Sequence, residues 1–312
     1  MIPNKGMQYY LNAGVYGRLG PIEFQYAPEI VQASNDSLPP PGARSPIGDN
    51  PSRFGSDVYT RNYLGQSYIR LNLASYSIGL SSENIFWGPG RFSGIVMSEN
   101  APGMKHFTFE TNRPVNTTIG SFEFNLISGK KRRSGFSYLT QIDVPPTDSI
   151  FGVPSLPEVY RDQDLDTISD VFNGVVAVYS PIWIPGLSIG LTREIWTTNT
   201  PKNINYLNYI QLFYSNPFRS SGGGEQVNIN QMASVFFRFV MQESHAEIYG
   251  EYGFDDNRYD LEDFLVSPEH SRAYMLGFRK IYSIKDETEY IDFTTEITQI
   301  EASKELMNRI QF

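Results

Sequence analysis

The chain of 312 residues contains no cysteine, which removes a disulfide framework, thiolate metal sites and a cysteine nucleophile together. It has three histidines, His106, His245 and His270, too scattered to suggest a catalytic triad or a zinc site. No window supplies the roughly 20 uninterrupted apolar residues of a membrane helix. The nearest approach, Gly174 to Leu191, is broken by Pro181 and Pro185 and reads as strand, turn, strand. Charged residues make up 19% of the chain with a balance of −9, so no basic face is large enough to neutralise many phosphates. Nucleic acid is therefore not an expected partner. The one basic run, Lys130 to Arg133, reads as a solvated turn. Met1 is not followed by a charged segment and an apolar core, so for an envelope protein a leader is expected upstream.

Aromatic and turn-forming residues are abundant: 20 Tyr, 21 Phe, 26 Gly and 20 Pro, a mix that favours strands joined by turns. The dominant pattern is alternation with period two, the mark of strands with one apolar and one polar face. Phe122, Phe124 and Leu126 alternate with Ser121, Glu123 and Asn125. Ala246, Ile248, Tyr252 and Phe254 fall opposite His245, Glu247, Tyr249 and Glu251. The same alternation recurs at Ile22, Phe24 and Tyr26, at Ile69, Leu71 and Leu73, at Val235, Phe237, Phe239 and Met241, and at Tyr274, Leu276 and Phe278. About a dozen such segments occur, many near the roughly 9 to 11 residues that a tilted strand needs to cross a bilayer.

The connections alternate in length. Short turns are expected at Gly17 to Pro21, Ala74 to Ser77, Pro181 to Gly186 and Gln242 to Ser244. Long polar segments run from Val31 to Asp57, Asp143 to Asp170, Thr197 to Asn230 and Asp255 to Arg272. Outer-membrane barrels have this asymmetry of short periplasmic turns and long external loops. Glu123, Glu194, Arg238, Glu247, Glu251 and Arg279 lie on the polar faces, where a barrel points them into its lumen. Periodicity alone leaves open both a membrane barrel and a soluble β-protein.

Several chemistries receive little support. His245 and Glu247 share a strand face about 7 Å apart by strand rise, yet two ligands do not make a specific metal site. Glu287 and Glu289 have a spacing compatible with glycosidase carboxylates, which stand about 5 to 9.5 Å apart, whereas Glu247 and Glu251 are about 13 Å apart. Such spacings recur by chance in acidic, strand-rich chains. The run Gly222 to Gly224 has no following Lys-Ser or Lys-Thr and reads as a flexible loop tip.

The segment Ser81 to Pro114 carries an aromatic-Trp-Gly-Pro-Gly turn, Phe86 to Gly90, followed by Ser98, Glu99, Asn100, Ala101, Pro102 and Gly103. Together with Asp49 to Gly55 upstream and Pro268 to Tyr274 downstream, it resembles the capsule assembly Wzi family in the form seen among Bacteroidetes-type members. Phe86 departs from the family's frequent first Trp, and Glu99 from its usual Asn. The resemblance implies an all-β, antiparallel transmembrane barrel of the bacterial outer membrane, with residues 1–312 forming one incomplete barrel domain. Family members continue with further strands, so Phe312 is not expected to close the barrel, and an unclosed edge should promote aggregation.

What the resemblance implies functionally is a lectin for capsular or related exopolysaccharide, without catalysis or cofactor, in contact with outer-membrane lipid and with the polysaccharide export machinery as a further partner. A diffusion porin or transport channel is the rival reading. The candidate glycan contacts are Trp87, Arg91, Asn100, His270 and Arg272. Trp87 offers either an indole face to a sugar or a packed corner of a tight bend. Arg91 suits either a sugar carboxylate or a lumenal Glu. Glu123, Arg238, Glu247 and Glu251 are expected to line the lumen.

Overall fold

The computed structural model describes residues 6–34, 58–99, 102–131, 169–200, 228–255, 272–285 and 289–301. They form β1 (Gln8–Asn12), β2 (Val15–Leu19), β3 (Ile22–Tyr26), β4 (Glu29–Ala33), β5 (Tyr59–Tyr63), β6 (Tyr68–Leu73), β7 (Tyr76–Ser81) and β8 (His106–Thr111). There follow β9 (Val115–Thr117), β10 (Gly120–Lys131), β11 (Ser169–Pro181), β12 (Leu187–Thr200), β13 (Asn228–Met241), β14 (Ala246–Asp255), β15 (Arg272–Lys285) and β16 (Glu289–Ile300). The main sheet runs β2-β3-β6-β7-β8-β10-β11-β12-β13-β14-β15-β16, with β9 prolonging β8 along β10. Its strand pairings are antiparallel, and among the described residues β2 and β16 do not meet, so the sheet is not closed.

A second, three-stranded sheet, β1-β4-β5, continues β2, β3 and β6 across a transverse break. Pro28 has no N–H to donate at the break. Gly65 adopts a left-handed φ of 58°, and Ala27 N–H is diverted to Ser67 Oγ at 2.9 Å. Gln66 N–H donates to Ala27 O at 3.2 Å and Asn12 Nδ2–H to Pro28 O at 3.4 Å across the same break.

Turns between paired strands gather at one rim: Gly20–Pro21, Ala74–Ser75, Thr118–Ile119, residues 182–186 and residues 242–245. Left-handed residues make these reversals tight, with φ of 59° at Gly20, 53° at Ala74, 89° at Gly186 and 46° at His245. Three expectations change. Tyr76 and Ser77 open β7, so the turn expected at Ala74 to Ser77 is only Ala74–Ser75. Gly17 and Arg18 belong to β2, and the first turn is only Gly20–Pro21. His245 is a turn residue and not a strand partner of Glu247, because its positive φ takes it out of the pleat. The strand ends that the long polar segments join lie at the opposite rim, and the segments themselves fall largely outside the described residues, as do Glu287, Gly222 to Gly224 and Phe312.

The polarity of the wall is inverted relative to a water-soluble sheet. In β7, Ser77 is 2% exposed while Leu80 is 61% exposed. Ile22, Phe24, Ile69, Leu71, Ile78, Phe107, Phe109, Ile189, Leu191, Val235, Phe237, Leu276 and Ile297 continue the exposed apolar face. The buried set on the other face includes His106, Thr108, Thr192, Glu194, Ser234, Glu247 and Glu251. A soluble protein does not expose so large a continuous apolar surface. Hydrocarbon accepts it, provided every backbone group is bonded within the wall.

The apolar band has visible ends. Leu187, Ile189 and Leu191 share the outer face of β12 and give way to Arg193, while Ile291, Phe293 and Ile297 on β16 give way to Gln299 and Glu301. Near the turn rim, Phe122 stacks on Tyr179 with ring centroids 4.7 Å apart, and Tyr179 meets the Trp183 ring edge-on at 6.2 Å. Tyr179 also donates its hydroxyl to Ile119 O at 2.7 Å, so the cluster is apolar in body and polar at its tip, as suits a membrane interface.

Ile189→Arg, within the band, is expected to destabilise the full-length protein in phospholipid vesicles by about 2–4 kcal/mol, and Ile182→Arg, in the turn, by about 0–1 kcal/mol. Urea unfolding in the bilayer measures both. Equal, negligible effects would show that the outer face meets water.

Candidate functional site

Between β7 and β8 the chain does not turn directly. Residues 82–99, with 102–105, fold inward against the polar face of the wall, on to strands more than a hundred residues later. An apolar anchor starts this path. Trp87 is 7% exposed and packs with buried Ile127 of β10 and Phe172 of β11, surrounded by Ile85, Met97, Met104, Val176 and Trp196. Gly174 makes this possible, since a β-carbon there would stand 2.6 Å from the indole.

The segment is also tied to itself. Trp87 N–H donates to Met97 O at 3.1 Å, beside an antiparallel bridge between Phe86 and Ser98. Gly103 N–H donates to Asn84 Oδ1 at 2.8 Å. Gly88 has a φ of 102°, and a β-carbon on it would lie 2.6 Å from a Glu251 carboxylate oxygen. Glycine is required here twice over, by backbone angle and by space.

Three carboxylates on the inner wall hold the segment. Glu296 of β16 accepts from Arg91 N–H at 2.9 Å, Ser93 N–H at 3.1 Å and Ser93 Oγ–H at 3.1 Å, and from the Tyr249 hydroxyl at 3.0 Å. Ser93 Oγ also lies 3.0 Å from Thr298 Oγ1. Glu251 of β14 accepts from Ser234 Oγ–H at 2.6 Å and from Ile95 N–H at 3.4 Å. Glu247 receives Arg91 on one oxygen, through Nη2 at 2.7 Å and Nε at 3.2 Å, and Arg238 on the other, through Nε at 2.9 Å. Arg279 approaches Glu247 at 3.9 Å while pairing with Asp292, Nε to Oδ1 at 2.8 Å.

Antiparallel register explains why these groups converge. Glu247, Tyr249 and Glu251 alternate along one face of β14, and their partners across the β14–β15 pair are Arg279, Gly277 and Met275. Gly277 faces Glu296 on β16, and its missing side chain leaves room for the fully buried Tyr249 ring. A further polar layer lines the earlier strands, where Arg70 lies between Glu83 and Glu110, and Glu23 accepts from Tyr68 at 2.8 Å and from Asn72 at 3.2 Å.

The site residues expected from sequence separate into groups. Glu247, Glu251 and Arg238 lie on the inner face and join the network, and Arg91 has found a lumenal Glu. Glu123 sits on the inner face of β10 but is exposed and apart from it. Trp87 is packed in the core, so its indole is structural in this arrangement. Arg272 shares the outer face with Leu276 and is bonded to Glu301, away from the lumen. Asn100 and His270 lie outside the described residues. Glu296, Ser234 and Ser93 were not singled out, and Tyr249 was placed only on the polar face of its strand, although Thr294, Glu296 and Thr298 alternate with Phe293 and Ile297 in a readable pattern. Among the described residues no group of three His, Asp or Glu side chains is placed to hold a metal ion.

An antiparallel wall, apolar outside, polar inside and with an inward-folded segment, defines a β-barrel of the outer-membrane type, left unclosed here. No protein-family model and no curated protein sequence matches the chain. Its fold is similar to that of Wzi of Escherichia coli, an outer-membrane protein involved in group 1 capsule assembly and a carbohydrate-binding β-barrel, with a TM-score of 0.55 and 12% identity over 94% of this chain. The match covers 51% of Wzi, so the chain spans about half the length of that protein. OmpT, an outer-membrane protein of Vibrio cholerae, aligns with a TM-score of 0.32 and 9% identity over 95% of this chain and 83% of its own, a likeness too slight to inform the fold.

Glu296→Ala removes the shared acceptor of four donors and is expected to cost about 1–3 kcal/mol, with Glu296→Gln milder because it keeps an acceptor oxygen. Urea midpoints of the full-length protein in vesicles, with proteolysis between residues 88 and 98, measure this. Equal, wild-type resistance in both variants would show that Glu296 does not hold the segment.

Proposed function

We propose that this protein is an outer-membrane relative of the Wzi family that retains capsular or related exopolysaccharide at the cell surface, without catalysing a reaction on it. The inward segment carries this reading. A segment pinned by buried carboxylates restricts the open lumen that a diffusion porin needs, leaving the long-loop rim as the face for recognition. The fold shared with Wzi, a carbohydrate-binding barrel, supports the same choice.

Retention in this scheme does not need a strong single site. A polymer offers many identical repeats, and multivalency multiplies weak contacts by about 10² to 10⁴. Lipid surrounds the apolar band, with the short turns on the periplasmic side and the long connections outside.

Deleting the full-length gene in its host, then dividing high-molecular-weight polysaccharide between washed cells and medium, tests the proposal. Normal synthesis with shedding into the medium is the expected result. Unchanged retention, with steady ion conductance through the reconstituted wild-type protein, would favour a porin.

A further inference from the structure

We infer that Glu29, with Tyr10, Asn12, Tyr63 and Gln66 around it, forms a subsite for one neutral pyranose unit at the outer mouth of the lumen; this rests on the glycan-binding reading and adds the residues and the class of sugar. The β1-β4-β5 sheet lies beyond the ends of β2, β3 and β6 that are remote from the turns Gly20–Pro21 and Ala74–Ser75, so it belongs to the long-loop rim. Gln66 fixes which face of this sheet looks inward. Its Oε1 accepts from Asn84 N–H of the inward segment at 3.0 Å, and its Nε2–H donates to Glu29 Oε1 at 3.2 Å. Glu29 and the residues beside it on that face are therefore turned to the lumen.

Register gathers the patch. Glu29 stands between Asn12 of β1 and Tyr63 of β5, each its direct cross-strand partner, and Tyr10 follows Asn12 on the same face. Such partners have β-carbons about 4.5–5.5 Å apart, so one sugar ring can reach across all three strands. The Tyr10 hydroxyl lies beside Glu29 and Asn12, while the residue is 58% exposed. Asn12 Nδ2–H donates to Ala27 O at 3.3 Å, and the Tyr63 hydroxyl is 2.9 Å from that of Tyr59. The polar tips are thus held before a ligand arrives, which lowers the ordering cost of binding. A strand added at the β1 edge pairs with its backbone and leaves Tyr10 and Asn12 on the same face.

The chemistry suits a sugar. A carboxylate has about four lone-pair positions, and Gln66 and Tyr10 leave Glu29 free to accept from neighbouring sugar hydroxyls. Hydrogen bonds to a charged acceptor are about twice as strong as neutral ones. Tyrosine rings pack against the C–H face of a pyranose while their hydroxyls stay in polar contact. Charge sets the class. Glu99 approaches Asn84 Nδ2 at 3.5 Å on the same ledge, and Arg61 lies over the Tyr59 ring at 5.1 Å. Two carboxylates against one guanidinium repel a uronate and leave a neutral sugar unopposed.

The test adds methyl glucoside, methyl galactoside and, separately, sodium glucuronate to the full-length protein in detergent micelles, and reads saturation transfer from protein to ligand protons. The expected result is transfer to the ring C–H protons of at least one neutral glycoside and at least threefold weaker binding of glucuronate. Binding of that glycoside is expected to fall at least fivefold in Glu29→Ala and in Tyr10→Ala, and to stay near wild type in Tyr10→Phe, which keeps the ring. Urea midpoints separate a lost site from a lost fold, and the exposed Tyr10 keeps the test open if Glu29→Ala unfolds. No transfer to either neutral glycoside, glucuronate binding as tight or tighter, or wild-type affinity in a folded Tyr10→Ala would overturn the subsite. Failure of the anchoring reading shows separately: shedding on gene deletion without glycoside binding removes the subsite alone, whereas retention unaffected by deletion removes the anchor.

Discussion

A carboxylate enclosed by protein has to be met by hydrogen-bond donors, and that requirement organises the interior of this wall. Glu247, Glu251 and Glu296 lie on the polar faces of β14 and β16, where the pleat denies them the outer surface. The wall supplies some donors through Ser234, Tyr249 and Arg238. The rest come from the backbone and side chains of Arg91, Ser93 and Ile95. Leaving a buried polar group without its partner typically costs about 1–3 kcal/mol, so wall and inward segment depend on each other.

The outer face imposes the complementary condition. With lipid on one side, every backbone N–H and C=O must be paired within the sheet, and apolar side chains must cover the wall. Alternation sends each polar residue to the opposite side. The lumen thereby collects polar groups in excess of what strand pairing needs, and a folded-in segment can satisfy them. Glycines at 88, 174 and 277 open the space for that packing, each beside a bulky or charged group that would otherwise collide with a β-carbon.

Much of the wall was legible in the sequence because alternation is a local signal. Phe122, Ile248 and Leu276 announce their faces from neighbours one and two residues away. Turn boundaries were read less well: Gly17 suggested an early turn, yet it pairs with Phe24 within β2 and β3, where its lack of a side chain admits the phenylalanine ring. The inward segment was recognised only as a motif. Its destination depends on contacts such as Ser93 to Glu296, which are long-range and leave no periodic trace. For Trp87 the local sequence allowed a sugar platform or a packed corner, and only the positions of Ile127 and Phe172 decide for packing.

The absence of cysteine from residues 1–312 permits a direct test of the central claim, that residues 88–98 cross to the inner face of β14 and β16 in the membrane-embedded protein. Ser93→Cys with Thr298→Cys replaces two hydroxyls 3.0 Å apart in a stretch of 312 residues that contains no thiol, and any cysteine elsewhere in the protein is first replaced by serine. In the outer membrane of intact cells the full-length double variant is expected to form an intramolecular disulfide under mild oxidation, seen as a reduction-sensitive shift in electrophoretic mobility and loss of both free thiols. Two thiols that remain separately alkylatable, in protein correctly inserted in the membrane, would contradict the account.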